Sequence, residues 1–421
     1  MLAALFFMLG HALALWSINF SGVLEAYGYR HIISYAWATN AIAAIISPLI
    51  VGALADQCYS SERVLRWLGL GSAALLCLLS LAIDSHQAGW AVLVLAQVHA
   101  LFSVPSFGLA TSLVISRLHE PRREFGPIRS FATFGWMVGG VILSLGTLLH
   151  GWLLRAGVVE NELLMVASRW WQQAVEGEHF ALLSGVAGAL SWLAVIAITW
   201  GIRPVPPPAE LKHRTWRDML GLEAWALLRH PDHRVVLVGA ALFNVPLAAF
   251  YQETPLHLHD IGLKLLEVPA AMSLGQVMEV VGLFSLAWLL ARVRLKWLFL
   301  AGIAFGALRY GLFMLNTLPA VCAGIFMHGL CFTLFYMSAQ IYLEQRIAPA
   351  MRARAQALLS LMMSGIGNLI GYLGCGAWRS YCTIAEQTDW PRYWLGLTLL
   401  IAAIFVWFAL SYRGKHRGEN L

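Results

Sequence analysis

The sequence predicts an all-helical membrane protein with twelve transmembrane helices. Of its 421 residues, 59% are hydrophobic and only 12% are charged, and the mean hydropathy is +0.69. A chain of this composition has more apolar surface than a water-soluble fold could bury. Apolar stretches of roughly 20 residues recur along the chain, each long enough to cross a hydrocarbon core of about 30 Å as a helix. Transmembrane strands would give short alternating segments instead, so a β-barrel is excluded.

Each apolar stretch is interpreted as one helix that ends at charged or helix-breaking residues. The first stretch carries His11, Asn19 and Glu25 and has no basic segment before it, so a retained helix is expected and not a signal peptide. The six cysteines have no metal-binding spacing, and neither a metal ion nor another cofactor is expected. Helices are predicted near residues 2–26, 32–54, 65–83, 90–115, 128–149, 180–201, 235–257, 268–291, 296–315, 319–343, 350–378 and 393–412.

The distribution of basic residues predicts the orientation of these helices. An even number of spans puts both termini on one side, and the loops on that side hold most of the Lys and Arg residues. By the positive-inside rule that side is the cytoplasm, so we expect a bacterial inner-membrane protein with both termini cytoplasmic. The same loops account for the net charge of +6, so no nucleic-acid partner is expected. The opposite loops hold only Arg30, Arg155, Arg169, Lys264, Arg379 and Arg392.

A long cytoplasmic loop divides the predicted helices into six and six. It opens with Arg203-Pro-Val-Pro-Pro-Pro208, a stiff run that stops a helix. Thr215-x-x-Asp218 then resembles a capping box, so the loop is either a simple tether or carries a helix on the membrane surface. Two six-helix halves are typical of transporters that rock about a midplane site. The predicted divisions are an N-terminal half (1–201), a linker (202–234), a C-terminal half (235–412) and a cytoplasmic tail (413–421).

The loop after the second helix carries a candidate conformational gate. Its sequence, Gly52-Ala-Leu-Ala-Asp56-Gln-Cys-Tyr-Ser-Ser-Glu-Arg63, resembles the signature G-x-L-x-D-R-x-G-R of the major facilitator superfamily. A glycine allows two helices to approach closely, and an aspartate can interact with the N-terminus of a facing helix. The match is partial, so an ordinary charged turn stays an alternative.

The entry to the fifth helix, Phe125-Gly-Pro-Ile-Arg129-Ser-Phe-Ala-Thr133-Phe-Gly-Trp136, carries a candidate binding face. An arginine just inside a membrane span is costly unless it faces protein or water. Arg129, Thr133 and Trp136 recur at i, i+4 and i+7, which places them on one face of the helix. The alternative is that Arg129 extends to the membrane surface and pairs with phosphate.

The eighth helix places Gln276 and Glu279 on one face of an apolar run. A carboxylate at mid-membrane either pairs with a cation or stays protonated, and a group that switches between these states can carry a proton. Arg129 and Arg309 are the candidate cations. Glu279 and Arg309 are each about 20 Å from the cytoplasmic ends of neighbouring helices, so a fixed structural ion pair between them is the alternative.

The tenth helix carries a polar and aromatic stripe, with His328, Phe332, Tyr336 and Gln340 spaced four residues apart. Such a stripe can stack on a planar ligand and form hydrogen bonds with its edges, although aromatic residues at this spacing more often pack against other helices. In the seventh helix, Asn244, Tyr251 and Gln252 add polar groups.

Several stretches together resemble the bacterial nucleoside:proton symporter family of the major facilitator superfamily. They are Phe125–Trp136, Ser273–Val280, His328-Gly-x-Cys-Phe332 and the segment from Gln340 to Gln356. The resemblance covers nearly all of the chain and implies a proton-coupled uptake of nucleosides. It implies a nucleoside site that includes Arg129, Thr133, Trp136, Gln276, Glu279, His328 and Phe332.

The chain departs from the family pattern at several of these positions. Thr333 stands where family members carry an acidic residue, and Phe131 and Ala132 replace a tryptophan and a glycine. The polar positions of the seventh helix fall on Ala248 and Tyr251. Loss of a carboxylate removes an acceptor for a ribose hydroxyl or a proton site, so the identity of the solute stays open.

The leading hypothesis is therefore a monomeric secondary transporter that moves a small polar solute, a nucleoside by resemblance, together with a proton across the lipid bilayer. A transporter of another polar solute such as a sugar, and a transceptor that signals without transport, are the alternatives. An enzyme is not expected, because the sequence has no metal cluster and no G-x-S-x-G motif. The predicted substrate-binding residues are Arg129, Thr133, Trp136, Tyr251, Gln276, Glu279, His328, Phe332, Thr333 and Tyr336, the proton-coupling residues Glu279, Arg129 and Arg309, and the gate residues Gly52, Asp56 and Arg63.

Overall fold

A computed structural model describes residues 1–53, 59–155, 173, 178–203, 222–348 and 351–414 of the chain. These residues are helical apart from turns, short connections and one hairpin, in which β1 (Thr383–Ile384) pairs antiparallel with β2 (Gln387–Thr388). By length and composition, ten helices in this part of the chain can cross a membrane. With two further helices of 21 and 35 residues, they give the predicted all-helical membrane fold.

The twelve helices follow the predicted order. Four are interrupted, and their parts are given together. The helices are α1 (Leu2–Ser17 and Phe20–Ala26), α2 (Ile33–Ala53), α3 (Ser61–Asp84), α4 (Gly89–Ile115), α5 (Pro121–Arg155), α6 (Phe180–Trp200), α7 (Pro231–Leu247 and Ala249–Asp260), α8 (Val268–Arg292), α9 (Leu295–Phe313), α10 (Leu318–Phe326, His328–Cys331, Phe332–Met337 and Ser338–Arg346), α11 (Arg352–Ser360, Leu361–Gly367 and Asn368–Tyr381) and α12 (Trp390–Ser411).

Three features differ from the sequence-based expectation. Helix α5 begins at Pro121 and not near 128, because proline is well tolerated in a first helical turn, where its missing N–H is not needed. A π-helical segment interrupts α10 at Phe332–Met337 and α11 at Leu361–Gly367. The turn of the hairpin uses Ala385 and Glu386 in the left-handed region, where glycine or asparagine would have signalled it.

The structure describes only the C-terminal end of the segment in which the linker was predicted to carry a surface helix. Thr215 and Asp218 lie outside the described residues. The segment that follows, Leu222–Arg229, is a 3-10 helix in which Trp225 is exposed.

The helices form two compact units. The N-terminal unit contains Met1–Ala43, the described part of 50–212, and Tyr251–Ser273. The C-terminal unit contains Ala44–Leu49, the described part of 213–250, and the described residues from Leu274 onward. Helix α7 therefore contributes its residues up to Phe250 to the C-terminal unit and those from Tyr251 onward to the N-terminal unit.

Within the N-terminal unit, α1 and α5 approach closely enough for their backbones to touch. A Cβ atom at Gly10 would overlap the carbonyl oxygen of Ala132, and one at Gly135 would overlap the carbonyl oxygen of Phe7. Lipid tails are as apolar as leucine side chains, so helices in a bilayer associate through close packing of small residues more than through a hydrophobic driving force. This contact fixes α5, which carries Arg129, Thr133 and Trp136.

Gly135→Ala is expected to lower the free energy of unfolding by about 1–3 kcal/mol, because the added methyl group forces the two helix backbones apart. Gly126→Ala, on the same helix, is the control, because a Cβ at Gly126 meets open space. The melting temperatures of the detergent-purified variants provide the measurement. Equal melting temperatures for the two variants would contradict the α1–α5 contact.

Candidate functional site

In the C-terminal unit, glycine contacts hold α8 against α10. A Cβ at Gly329 would overlap the backbone nitrogen of Glu279, and one at Gly282 would lie 2.8 Å from Oγ1 of Thr333. Gly275 is similarly close to His328, 3.3 Å from its Cβ. These contacts bring together Glu279, His328 and Thr333, three of the predicted site residues.

Arg309 of α9 is fully buried in this unit and is held by rings and a histidine. Its guanidinium lies 4.7 Å from the ring of Phe250 and 4.4 Å from that of Tyr310. Its Nη1 donates a hydrogen bond of 2.6 Å to Nδ1 of His328. Because guanidinium groups only donate, Nδ1 must accept, and the ring proton of a neutral His328 is on Nε2. The imidazole also stacks on Phe250, with 3.9 Å between ring centroids.

The contacts of Arg309 bear on the predicted alternative of a fixed Glu279–Arg309 ion pair. Among the described residues, the partners of Arg309 are His328, Phe250 and Tyr310, and no ion pair with Glu279 is present. Aromatic faces attract a desolvated cation by about 2 kcal/mol, so they offset part of the cost of burying this charge. The role of Arg309 in proton coupling stays a prediction.

The π-helical segments of α10 and α11 are joined by a polar network. The hydroxyl of Tyr336 donates to Oδ1 of Asn244 at 2.8 Å. Nδ2 of Asn244 donates to the carbonyl oxygen of Met363 at 2.9 Å, within the π-helical segment of α11, and to Oδ1 of Asn368. An amide side chain thus satisfies a carbonyl in a distorted helix, and distortions of this kind are frequent at functional sites. The hydroxyl of Tyr336, a predicted ligand contact, is engaged in this network.

The remaining predicted residues of this unit differ in accessibility. Gln276 is buried and Glu279 is partly buried on α8. On α10, Phe332 is partly buried, with its ring 5.8 Å from that of Tyr336. Thr333 is fully buried, and its contact with Gly282 leaves little room for a longer acidic side chain at this position.

In the N-terminal unit, α5 presents the three predicted residues to different neighbours. The guanidinium of Arg129 lies 4.4 Å from the ring of Phe107 and 5.8 Å from that of Phe6, so the charge rests on aromatic faces. Thr133 is buried. Trp136 packs edge-on against Tyr251 of α7, with 5.8 Å between ring centroids.

Sequence reasoning missed Trp37 of α2, which completes an aromatic cluster with Trp136 and Tyr251. Its ring lies 6.5 Å from that of Tyr251 at an interplanar angle of 26°, and its indole N–H donates to Oγ of Ser21 at 2.8 Å. The feature of the sequence that could have indicated this residue is a tryptophan three residues before Asn40 in a mainly apolar helix. In this unit the predicted residues Trp136 and Tyr251 are therefore in contact.

Glu253 is a second acidic residue that sequence reasoning missed. It is fully buried on α7, and one oxygen accepts a hydrogen bond of 2.8 Å from Nε2 of Gln252. The same amide nitrogen is 3.0 Å from Oγ of Ser34. Glu253 is therefore a further acidic side chain within the described membrane helices, in addition to Glu279.

The predicted gate is described only in part. Gly52 lies in the last turn of α2, Asp56 lies outside the described residues, and Arg63 is exposed beside the ring of Tyr59. The buried ion pair of this region joins Glu62, at the start of α3, to Arg117, just after α4. Glu62 was overlooked because Arg63, the next residue, fitted the motif.

Comparison with known proteins identifies the family. A model of the nucleoside H+ symporter family matches residues 3–417 of the chain. The chain belongs to this family.

Within the described residues, no group of three or more His, Cys, Asp or Glu side chains is placed to hold a metal ion.

Two proteins of Escherichia coli (strain K12) are similar to the chain along most of their length. YegT, itself a candidate nucleoside transporter, is 28% identical over 393 residues, which cover 90% of this chain and 85% of the relative. The xanthosine permease is 27% identical over 415 residues, which cover 92% of this chain and 89% of the relative.

Solved structures support the same fold. The crystal structure of a mutant of the nucleoside transporter NupG has a TM-score of 0.82 at 19% identity and covers 98% of this chain and 99% of its own. An auto-inhibited peptide transporter of the POT family has a TM-score of 0.65 at 14% identity, with coverage of 100% and 97%. At these identities the likeness shows the fold alone, which is that of the major facilitator superfamily.

Gly329→Ala is expected to reduce nucleoside uptake at least about tenfold, equivalent to about 1.4 kcal/mol, because the new methyl group displaces the backbone of Glu279. Gly374→Ala on α11 is the control, since a Cβ there meets open space. Uptake is measured in proteoliposomes after size-exclusion chromatography has shown that both variants are folded. Wild-type uptake by Gly329→Ala would show that the position of Glu279 does not matter.

Proposed function

We propose that the chain is a bacterial inner-membrane symporter that carries nucleosides and protons together into the cell by alternating access. The observation that carries the proposal is the match to the nucleoside H+ symporter family over residues 3–417. The names of the relatives, a xanthosine permease and the nucleoside permease NupG, support a nucleoside as the solute.

The chemistry of the predicted residues is compatible with a nucleoside. A nucleobase is planar, and aromatic side chains such as Trp136, Tyr251 and Trp37 can stack on its faces. The amide of Gln276 can both donate to and accept from the edge of a base, which fixes its orientation.

Glu279 is the proposed proton carrier. A carboxyl group in a low-dielectric site carries a charge only when a cation is close. Arg129 and Arg309 are the proposed cations. Aromatic rings and a histidine hold Arg309, so this cation can approach Glu279 to different extents in the outward and inward states, and the proton affinity of the carboxyl would change accordingly. Thr333 supplies no acidic group of its own, which leaves Glu279 as the acid of the α8–α10 contact.

Uptake of a panel of nucleosides, nucleobases and sugars tests the proposed function. Proteoliposomes that contain the purified chain are assayed with and without an inward proton gradient. Accumulation of a nucleoside that depends on the gradient is the expected result. Accumulation of a sugar alone would favour the alternative solute, and no uptake of any compound would favour the transceptor.

Glu279→Gln keeps the shape of the side chain and fixes it neutral. The variant is expected to lose accumulation against a concentration gradient, while exchange of nucleoside at equal concentrations partly survives. Glu267→Gln is the control, because Glu267 is exposed and its carboxylate accepts only from the backbone N–H of Lys264 in the structure. Proton-driven accumulation at the wild-type level in Glu279→Gln would leave Glu279 with a structural role only.

The proposed orientation, with both termini in the cytoplasm, can be tested by labelling with an impermeant maleimide. Cys382 lies on the predicted external side but is unsuitable, because it is buried and burial raises the pKa of its thiol. Gln387→Cys in the exposed hairpin and His119→Cys in the loop between α4 and α5 replace it, both combined with Cys58→Ser. Intact cells should label the first variant and spare the second, and the reverse pattern would overturn the orientation.

A further inference from the structure

His99 of α4 is a buried titratable residue that the proposed transport mechanism does not use. Its side chain belongs to the N-terminal unit and is 8% exposed. Its Nε2 atom has no hydrogen-bond partner among the described residues. A buried polar atom without a partner is costly in a membrane protein, where lipid offers no hydrogen bonds. A small ligand that offers a donor or an acceptor would satisfy this nitrogen.

A cavity of about 40 Å³ lies next to His99, within the same unit. One water molecule needs roughly 10–15 Å³ by this measure, so the cavity has room for about three or four. Four residues with hydroxyl or amide groups line it together with His99, and tryptophan side chains form part of the wall. The polar residues are Ser17, Thr39, Asn40 and Ser103, and the tryptophans are Trp16, Trp37 and Trp192.

We propose that His99 and these four polar residues form a hydrated proton site, with water and a proton as its ligands. Ser103 follows His99 by four residues on α4, so both side chains lie on one face of the helix. Hydroxyl and amide groups give each water the two to four polar partners that it requires. An imidazole titrates near neutral pH in water, and ordered water provides the charged ring with solvation that lipid cannot.

The other ionisable side chains of the surrounding helices do not line the cavity. On α1, His11 is hydrogen-bonded to Ser191 at 2.9 Å. On α5, Arg129 rests on Phe107, two helical turns beyond His99. The remaining ones with described side chains are Glu25 on α1, Tyr35 on α2, Glu62, Arg63, Arg66, Cys77 and Asp84 on α3, Glu124 on α5, and His179 and Arg203 at the two ends of α6. The proton on His99 is therefore shared with water and not with a carboxylate.

The site has a direct structural connection to the candidate substrate residues. Trp37 lines the cavity and also packs against Tyr251, which in turn contacts Trp136. Trp37 thus belongs both to the wall of the cavity and to the aromatic cluster. A change in the charge of His99 therefore acts on a residue of that cluster. The N-terminal unit thereby gains a protonatable group in addition to Glu279 of the C-terminal unit.

Deuterium exchange at carbon 2 of histidine rings tests the site without a transport assay. This exchange requires contact with water, and its rate rises with pH and levels off above the pKa of the ring. Mass spectrometry of the full chain in nanodiscs over about pH 4–9 should show exchange at His99 with a single titration. No exchange at His99 at any pH, while exposed His119 exchanges, would overturn the proposal, and so would a rate at His99 that shows no titration.

Ser103→Val fills part of the cavity and removes a hydroxyl, so exchange at His99 should slow several-fold. Ser112→Val makes the same change on an exposed face of α4 and should leave the rate at His99 unchanged. An unchanged rate at His99 in a folded Ser103→Val variant would show that water does not reach the ring through this cavity.

Discussion

Direct contact between helix backbones at glycine is the constraint on which both units depend. In the N-terminal unit, Gly135 leaves room for the carbonyl oxygen of Phe7, and in the C-terminal unit Gly329 leaves room for the backbone of Glu279. A bilayer provides little hydrophobic force between helices, so close approach of backbones has to supply the packing energy. These glycines thus determine the positions of Arg129 and Glu279, and a single methyl group added at either contact would move them.

Both buried or partly buried arginines of the candidate site are held by aromatic rings. Arg129 rests on Phe107, and Arg309 lies between Phe250 and Tyr310 with His328 as its hydrogen-bond acceptor. Ring faces and a neutral imidazole hold a cation more weakly than a carboxylate does. Arg309, held in this way, can change its distance from an acid during transport without first breaking a strong ion pair.

The sequence was sufficient for the helices because the length of an apolar run directly reports a membrane span. Polar and aromatic residues in such runs led to the prediction of Arg129, Gln276, Glu279, His328 and Phe332, and the family resemblance assigned them to a nucleoside site, which stays a prediction. Trp37 escaped notice because a tryptophan in a membrane helix can face lipid as well as protein, and the sequence alone does not show which. The π-helical segments of α10 and α11 also have no periodic signal, since packing and the side chain of Asn244 stabilise them.

The central claim is that nucleoside and proton movements are coupled in this chain. Proton entry driven by the nucleoside itself measures this coupling most directly. Proteoliposomes loaded with a pH-sensitive dye, with equal pH on both sides at the start, receive an external nucleoside. The account predicts acidification of the interior that a sugar does not cause. Nucleoside entry with no change in internal pH would contradict it.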